Sequence, residues 1–465
     1  MKNEELRMKN ERRASRALKN FLLFFFILNS SFFIAPARGA AIIRDTEIEA
    51  ALDKIARPVM VAAKVDPRRM KINILSDNEF NAFVLGGQDA FVNTGLIVKI
   101  ENPAELQAVL AHEIGHAELG HMVQMRAKMR AEFVRSLIVS ALGVGMAATV
   151  SPEAGIGMIG ASVAASRQSM LSFSREEERS ADDFAIKTLV KAGVDPNALL
   201  SVFQKMQSAR ENAINPHHIG HPLTEERMKN IKVQLTINNE QLTMNDQLTL
   251  ELKLVQAKLI GYLDSAERIR TLYPASDKSD AAIYARAIAN ARTGDLNTAR
   301  IGVKTLVTRR PDNPYFLELT GDVEFKSGNY DDSIAAYEKS LRLLQGAPHS
   351  FPSGSALARN DKQFAPQIEL ALALVLAERN KDGDRARATA AAKRALLSER
   401  LPLAFWVLAK SDAEKADYYL AEYHYAMKDP KRAKSFAKSA IEKLDHSSPE
   451  YLKAKDILEQ LADSR

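Results

Sequence analysis

His112-Glu113-Ile114-Gly115-His116 is the segment whose residue types and spacing could do chemistry. Two imidazoles four residues apart on a helix project from one face and can share a metal ion, with the glutamate between them. A catalytic zinc takes three protein ligands and keeps a fourth position open. It lowers the pKa of a water molecule, and a neighbouring glutamate can accept that proton and pass it to a leaving amine. The segment therefore implies metal-assisted hydrolysis, with His112 and His116 as ligands, Glu113 as acid and base, and Zn2+ as cofactor. A third ligand has to come from elsewhere.

His121 is near in sequence, but five residues past His116 is about 140° around a continuing helix, so it is expected to face away as a solvated histidine. Leu119 and Met122 stand where a metzincin site needs Gly and His. The other source is Ser174-Arg-Glu-Glu-Glu-Arg-Ser-Ala-Asp-Asp183. Its three adjacent glutamates also suit an exposed turn at a helix N-terminus. Pairing selects among them: Glu178 has Asp182 four residues on, whereas Glu176 has Ser180 and Glu177 has Ala181 there. A carboxylate ligand with an Asp one turn later, able to accept a ligand histidine's other N–H, is a sound metal-site design. Glu178 is the expected third ligand and Asp182 its supporting residue.

These residues need elements to carry them. Asn102 can cap a helix, with Pro103 at its first position and Glu105 three after the cap, and the apolar pattern continues past Met129. A second helix is expected from about Ser174 to Ala192, stopping at Gly193. Upstream, Glu47 to Val65 has helical spacing and Met70 to Leu75 alternates with period two. Two further strand-like runs, Asn81 to Leu85 and Ala90 to Ile97, flank Gly86-Gly87. The second of these could be a sheet edge that pairs with an extended peptide, or a purely structural strand. The apolar stretch from Phe133 to Ala165 breaks at Ser151-Pro152 into pieces shorter than a bilayer span, which suits a buried helical hairpin, with a membrane contact as the alternative. Gln234 to Glu251 is an imperfect Asn/Gln-rich repeat that reads as a linker or extended helix.

From about residue 265 a period of 34 appears, pairing Gly294 with Gly328, Ala299 with Ser333, Val303 with Tyr337 and Leu306 with Ser340. Two-helix segments follow at Ile368 to Leu397 and Tyr418 to Leu444, with Ala386 and Ala433 at the small position, after a loop from Gly346 to Asp361 that disturbs the register. The pattern resembles tetratricopeptide repeats, which stack and leave a groove for partners.

Composition narrows the function further. The formal charge of +6 is concentrated at the start, where residues 1–37 carry seven Lys/Arg against three Glu, so what remains is too little for a nucleic-acid footprint. With no cysteine, disulfides, thiolate ligands and cysteine nucleophiles are excluded. Basic residues, the apolar run Phe21 to Leu28 and the small residues Ala35-Pro-Ala37 read as an export signal with cleavage at 37–41, an uncleaved anchor being the alternative.

HEIGH followed some sixty residues later by SREEERSAD resembles the HtpX-like gluzincin peptidases, whose signature is HExxH with a downstream ExxxD. The export signal, the strand run before HEIGH and the C-terminal repeats narrow the likeness to the periplasmic β-barrel assembly-enhancing type of Gram-negative bacteria. The resemblance implies an α+β, mostly helical fold: a gluzincin-type metalloprotease domain with a small β-sheet, then an all-α tetratricopeptide-like solenoid. The expected boundaries are 1–37 for the signal, 42–232 for the protease domain, 233–264 for the linker or extended helix and 265–465 for the repeats. It further implies unfolded or misassembled outer-membrane proteins as substrates and the barrel-insertion machinery as a partner through the repeats, while the apolar stretch 133–165 itself offers peripheral membrane contact as one possibility. His217, His218 and His221 share one loop and are equal candidates on chemistry alone. The resemblance picks out His221-Pro222 and Arg227, with His221 in the open metal position of a latent state or beside a transition-state oxyanion, and Arg227 in a supporting role.

Overall fold

The structure is a computed structural model that describes residues 41–85, 89–121, 123–124, 173–211, 221, 224–237, 245–346, 365–397 and 400–462. The expected export signal, the 133–165 stretch, Gly86-Gly87, His217, His218, Pro222, residues 347–361 of the expected loop and the centre of the Asn/Gln-rich repeat lie outside them. The chain divides into two compact units, one of residues 48–256 with the preceding strand, the other of 257–465 with Asp45–Glu47.

The first unit holds a four-stranded sheet: β1 (Ala41–Ile43), β2 (Lys71–Ser76), β3 (Ala82–Leu85) and β4 (Asp89–Asn93), in the order β1-β2-β4-β3. β2 and β4 are parallel and the outer pairs antiparallel. On β3 and β4, Ala82, Val84, Ala90 and Val92 alternate into the core, while Phe83 and Phe91 pair across the strands on the other face with ring centroids 5.2 Å apart. β4 is thus interior, paired on both sides, while β1 and β3 form the edges, so of the two readings of the Ala90 run the purely structural strand holds. That run also changes state midway. Helix α2 (Thr94–Lys99) starts straight after β4 because Thr94 Oγ1 donates to the Asp77 carbonyl at 2.8 Å and Gly95 lies so close to Asn78 that a Cβ would meet its carbonyl oxygen at 2.1 Å.

Helix α1 (Thr46–Ala62) lies between β1 and β2, and after the sheet come α3 (Pro103–Glu118), α4 (Arg175–Lys191), α5 (Asn197–Glu211) and α6 (Glu225–Ile237). Helix α7 (Asp246–Leu263) begins in the Asn/Gln-rich stretch. Leu252, Leu254, Val255, Ala257, Leu259 and Ile260 are buried along it, so packing overrides weak local propensity.

In the second unit, α8 (Ala266–Leu272) leads into helix pairs: α9 (Asp280–Thr293) with α10 (Leu296–Arg309), α11 (Pro314–Lys326) with α12 (Tyr330–Gly346), α13 (Pro366–Arg379) with α14 (Asp384–Ala395), then α15 (Pro402–Ser411), α16 (Ala416–Ala426), α17 (Pro430–Lys443) and α18 (Pro449–Ala462). Gly294 and Gly328 have φ of 89° and 79°, the left-handed conformation their turns demand. Residues 34 apart fill equivalent buried places, Ala299 with Ser333, Val303 with Tyr337 and Leu306 with Ser340. Tyr337 lies on Gly321, where a Cβ would meet its ring at 2.5 Å. Ala433 is buried, but Ala386 is exposed and Ala388 takes the buried small position, because α14 starts on a glycine cap, Gly383, rather than on the residue the period suggests. The unit is a tetratricopeptide-like series of stacked helix pairs, and the chain as a whole is α+β and mostly helical.

Candidate metal centre

Helix α3 starts as expected at Asn102, whose side chain accepts the Glu105 N–H at 3.1 Å; the Glu105 carboxylate returns a bond to the N–H of Glu101 at 2.9 Å, one residue before the cap. From Leu106 to His116 every residue of α3 is buried, so the helix runs through the core and delivers His112, Glu113 and His116 to its interior. Helix α4 opens with a reciprocal capping box, Ser174 accepting the Glu177 N–H at 3.2 Å and Glu177 accepting the Ser174 N–H at 2.7 Å. This box sorts the three glutamates: Glu176 is exposed, Glu177 caps, and Glu178 turns fully inward. The helices nearly touch at Gly115, where a Cβ would lie 3.2 Å from the Ala181 carbonyl and from the Phe184 ring.

One donor atom from each of His112, His116, Glu178 and His221 falls within 4.8 Å of the others. His112 Nε2 lies 3.1 Å from His116 Nε2 and 3.4 Å from His221 Nδ1. Glu178 oxygens lie 3.5, 3.8 and 2.9 Å from the same three nitrogens. A tetrahedral ion with bonds of about 2.0–2.1 Å separates its donors by about 3.3–3.4 Å, so these spacings suit one. The outer nitrogen of His112, Nδ1, is 3.0 Å from Asp182 Oδ1 and must carry the proton, which turns the Nε2 lone pair inward. The donor set of three imidazoles and one carboxylate fits a divalent metal.

The charges around this centre are graded. Burial opposes charge on His112, but hydrogen bonds to Asp182 and Glu178 hold its pKa up, to about 9. Burial and the neighbouring His112 and His221 hold His116 well below the usual imidazole range. Burial opposes ionisation of Glu178, yet hydrogen bonds from His112 and His221 keep it well below the carboxylate norm. Arg227, from α6, reaches Glu178 Oε2 at 2.7 Å and both oxygens of Asp182 at 2.8 Å, with its guanidinium 4.7 Å from the Phe203 ring centroid. It clamps the two carboxylates from behind. Burial pushes Glu113 above its ordinary pKa; its carboxylate is bonded by the Val84 backbone of edge strand β3 and lies 3.4 Å from His221 Nε2.

His121 departs from expectation. Helix α3 ends at Glu118, and Gly120, at φ 74°, redirects the chain so that His121 is buried with Nδ1 3.1 Å from His116 Nδ1. Two aromatic residues at the site carried no sequence signal. Phe173 lies against His116 with centroids 3.9 Å apart and against His221 at 5.1 Å, and Phe203 stands edge-on to His112 at 6.3 Å. Beside His112 and Glu113 an apolar cavity of about 30 Å³ is lined by Leu96, Val109, Leu199, Val202, Phe203 and Met206.

Residues 44–234 match the model of peptidase family M48. The β-barrel assembly-enhancing protease of Escherichia coli K12 is 25% identical over 317 residues, covering 65% of this chain and 63% of that protein. The chain thus spans a little under two thirds of the length of that relative. Metalloprotease LoiP of the same organism is 26% identical over 210 residues, 45% of this chain and 76% of its own. A crystal structure of a thermophilic tetratricopeptide-repeat protein from Thermus thermophilus is 18% identical and covers 49% of this chain and 96% of its own, at a TM-score of 0.23, so the repeat assignment rests on the helix pairs themselves. With HExxH, the buried carboxylate of α4 and a match that spans both, the chain carries a metallopeptidase domain of family M48 over residues 44–234.

Proposed function

We propose that the chain is a zinc-dependent endopeptidase of the periplasm, held latent by His221, that removes misassembled outer-membrane β-barrel proteins and assists their assembly. The observation that carries this reading is the convergence of four donor atoms within 4.8 Å, one of them on a histidine that also reaches Glu113. The name of the Escherichia coli relative, a β-barrel assembly-enhancing protease, and the export-like segment Phe21 to Ala37 support the client class and compartment.

In this reading His112, His116 and Glu178 hold the metal, Asp182 orients His112, and Arg227 fixes Asp182 and Glu178. Bound zinc supplies Lewis-acid polarisation and an acidified water molecule. Glu113 takes the water proton at a carboxylate oxygen and delivers it to the leaving nitrogen; its burial-raised pKa brings it nearer the operating pH, as an acid and base in turn requires. An extended peptide adds to edge strand β3, whose Val84 backbone already touches Glu113, and presents an apolar side chain to the neighbouring cavity. His221 must swing out for the peptide to enter, and once displaced its N–H can serve the developing oxyanion. The repeats dock the barrel-insertion machinery through their stacked faces.

The test is purified protein with and without chelator, on casein and on an unfolded barrel. Glu113→Gln should keep zinc and lose cleavage; undiminished cleavage would remove Glu113 from the mechanism. The His221 contact also favours a second reading, a chaperone-like scaffold whose zinc site stays closed. That reading gains if Glu113→Gln supports outer-membrane assembly in cells as well as the unaltered chain does.

A further inference from the structure

We propose that His121, backed by Ser180, is a positioning residue that fixes the tautomer and ring orientation of His116. The inference rests on His116 being a metal ligand, as proposed above.

Proton counting carries it. His116 Nε2 faces the other donors, 3.1 Å from His112 Nε2 and 3.8 Å from Glu178 Oε1, and as a ligand it must be bare. The His116 proton therefore sits on Nδ1, whose neighbour at 3.1 Å is His121 Nδ1. That nitrogen has to accept, so His121 carries its own proton on Nε2, 3.4 Å from Ser180 Oγ. Ser180 can accept there because its hydroxyl proton is used elsewhere, donated to the Glu176 carbonyl at 2.9 Å or that of Glu177 at 3.0 Å. With these assignments no two donors meet along His116, His121 and Ser180. Both ends are anchored to the metal-bearing helices, His116 on α3 and Ser180 on α4, two residues from Glu178 and two from Asp182.

The backbone is built for this contact. On a continued helix His121 would point away from His116, and it is the left-handed Gly120 that brings it back. Among the described residues no side chain crowds Gly120, since a Cβ there would meet nothing within 4 Å, so the glycine is present for its φ. Phe173 covers the His116 ring at 3.9 Å and lies 6.3 Å from that of His121, shielding the link from water. The two ligand histidines are thus held differently: His112 by the Asp182 carboxylate at 3.0 Å, and His116 by a neutral imidazole.

Zinc affinity by competition with a chromophoric chelator, on the full chain, tests the proposal. His121→Phe, which keeps a ring but has no acceptor, should weaken zinc binding about 10- to 100-fold, the range for lost outer partners of ligand histidines. His121→Asn, whose side-chain oxygen can stand near the Nδ1 position, should recover most of the affinity, and Ser180→Ala should lose less than His121→Phe. Melting of the chelator-stripped proteins should be alike, which separates positioning from packing. Equal zinc affinity in His121→Phe and the unaltered chain would overturn the proposal. An unaltered chain that binds no zinc would instead overturn the metal reading beneath it. If His121→Phe fails to fold, imidazole proton–nitrogen correlation spectra of the zinc-loaded chain decide: a His121 proton on Nε2 supports the proposal and one on Nδ1 refutes it.

Discussion

Each unit of this chain buries a cluster of ionisable side chains, and the two solve the problem of buried charge in opposite ways. In the repeat unit the cation is built in. Lys258 Nζ lies 2.9 Å from Asp45, 3.1 Å from Glu47 and 3.5 Å from Glu318, while Tyr284 donates to Glu47 at 2.7 Å. Burial opposes charge on Lys258, but the surrounding carboxylates, Asp45 first, hold its pKa well above the lysine norm. One ammonium cannot neutralise three carboxylates, and burial pushes Glu318 up to about 8. In the M48 domain the protein's own cation, Arg227, binds the carboxylates of Glu178 and Asp182, and donor atoms of His112, His116, Glu178 and His221 converge within 4.8 Å of one another. A closed cluster that supplies its own counter-charge is a structural joint. One whose imidazole and carboxylate donors converge on a common point has the form of a metal-binding site.

That contrast can be broken or sharpened by experiment. The largest effect expected is on turnover: Glu113→Gln should lower peptide hydrolysis by about 10²- to 10⁴-fold at unchanged metal content, read by steady-state kinetics and metal analysis. Next is Lys258→Met, which strands buried carboxylates and should destabilise the chain by about 3–5 kcal/mol in denaturant titrations. Zinc added at about 100 times its Kd should raise stability by about 2.7 kcal/mol, and Glu178→Ala should abolish most of that gain while Lys258→Met leaves it intact. If Lys258→Met erased the gain, the two clusters would not be the separate devices described.

Acidity gives a smaller test. Because Glu318 has a raised folded pKa, the folded state keeps a proton that the unfolded state releases above about pH 4.5. Its contribution is therefore complete below pH 4.5 and is lost as the pH rises towards 8. Melting temperatures should fall over that window, and Glu318→Gln should flatten the slope. The smallest effect expected is from Ser174→Ala, which removes a helix cap and should cost about 1 kcal/mol.

Much of the centre was legible because it depends on helical periodicity. The i, i+4 spacing of His112 with His116 and of Glu178 with Asp182 is a local property, as are the caps at Asn102 and Ser174. What was not legible depends on breaks in periodicity or on contacts remote in sequence. The helical wheel sent His121 outward because it assumes a helix that Gly120 ends. Strand order is invisible in a single strand's pattern, so the Ala90 run read equally as an edge or a structural strand, and β3 is the edge beside it. Ala386 looked like a core residue because the period assumes each helix starts at the same offset, and the glycine cap at Gly383 shifts it. Phe173 and Phe203 are ordinary apolar positions until α3 and α5 are packed. His221 could be separated from His217 and His218 only by resemblance.

Gly115 has a consequence for how such a domain can vary. With the backbones of α3 and α4 in near contact there, the candidate donors of one helix are spaced from that of the other by main-chain atoms, which cannot adjust by changing rotamer. The candidate centre is therefore built as a caliper whose gap is set by a missing methyl group. Even alanine at 115 would require α4 to give way by a few tenths of an ångström, in the helix that carries Glu178 and Asp182.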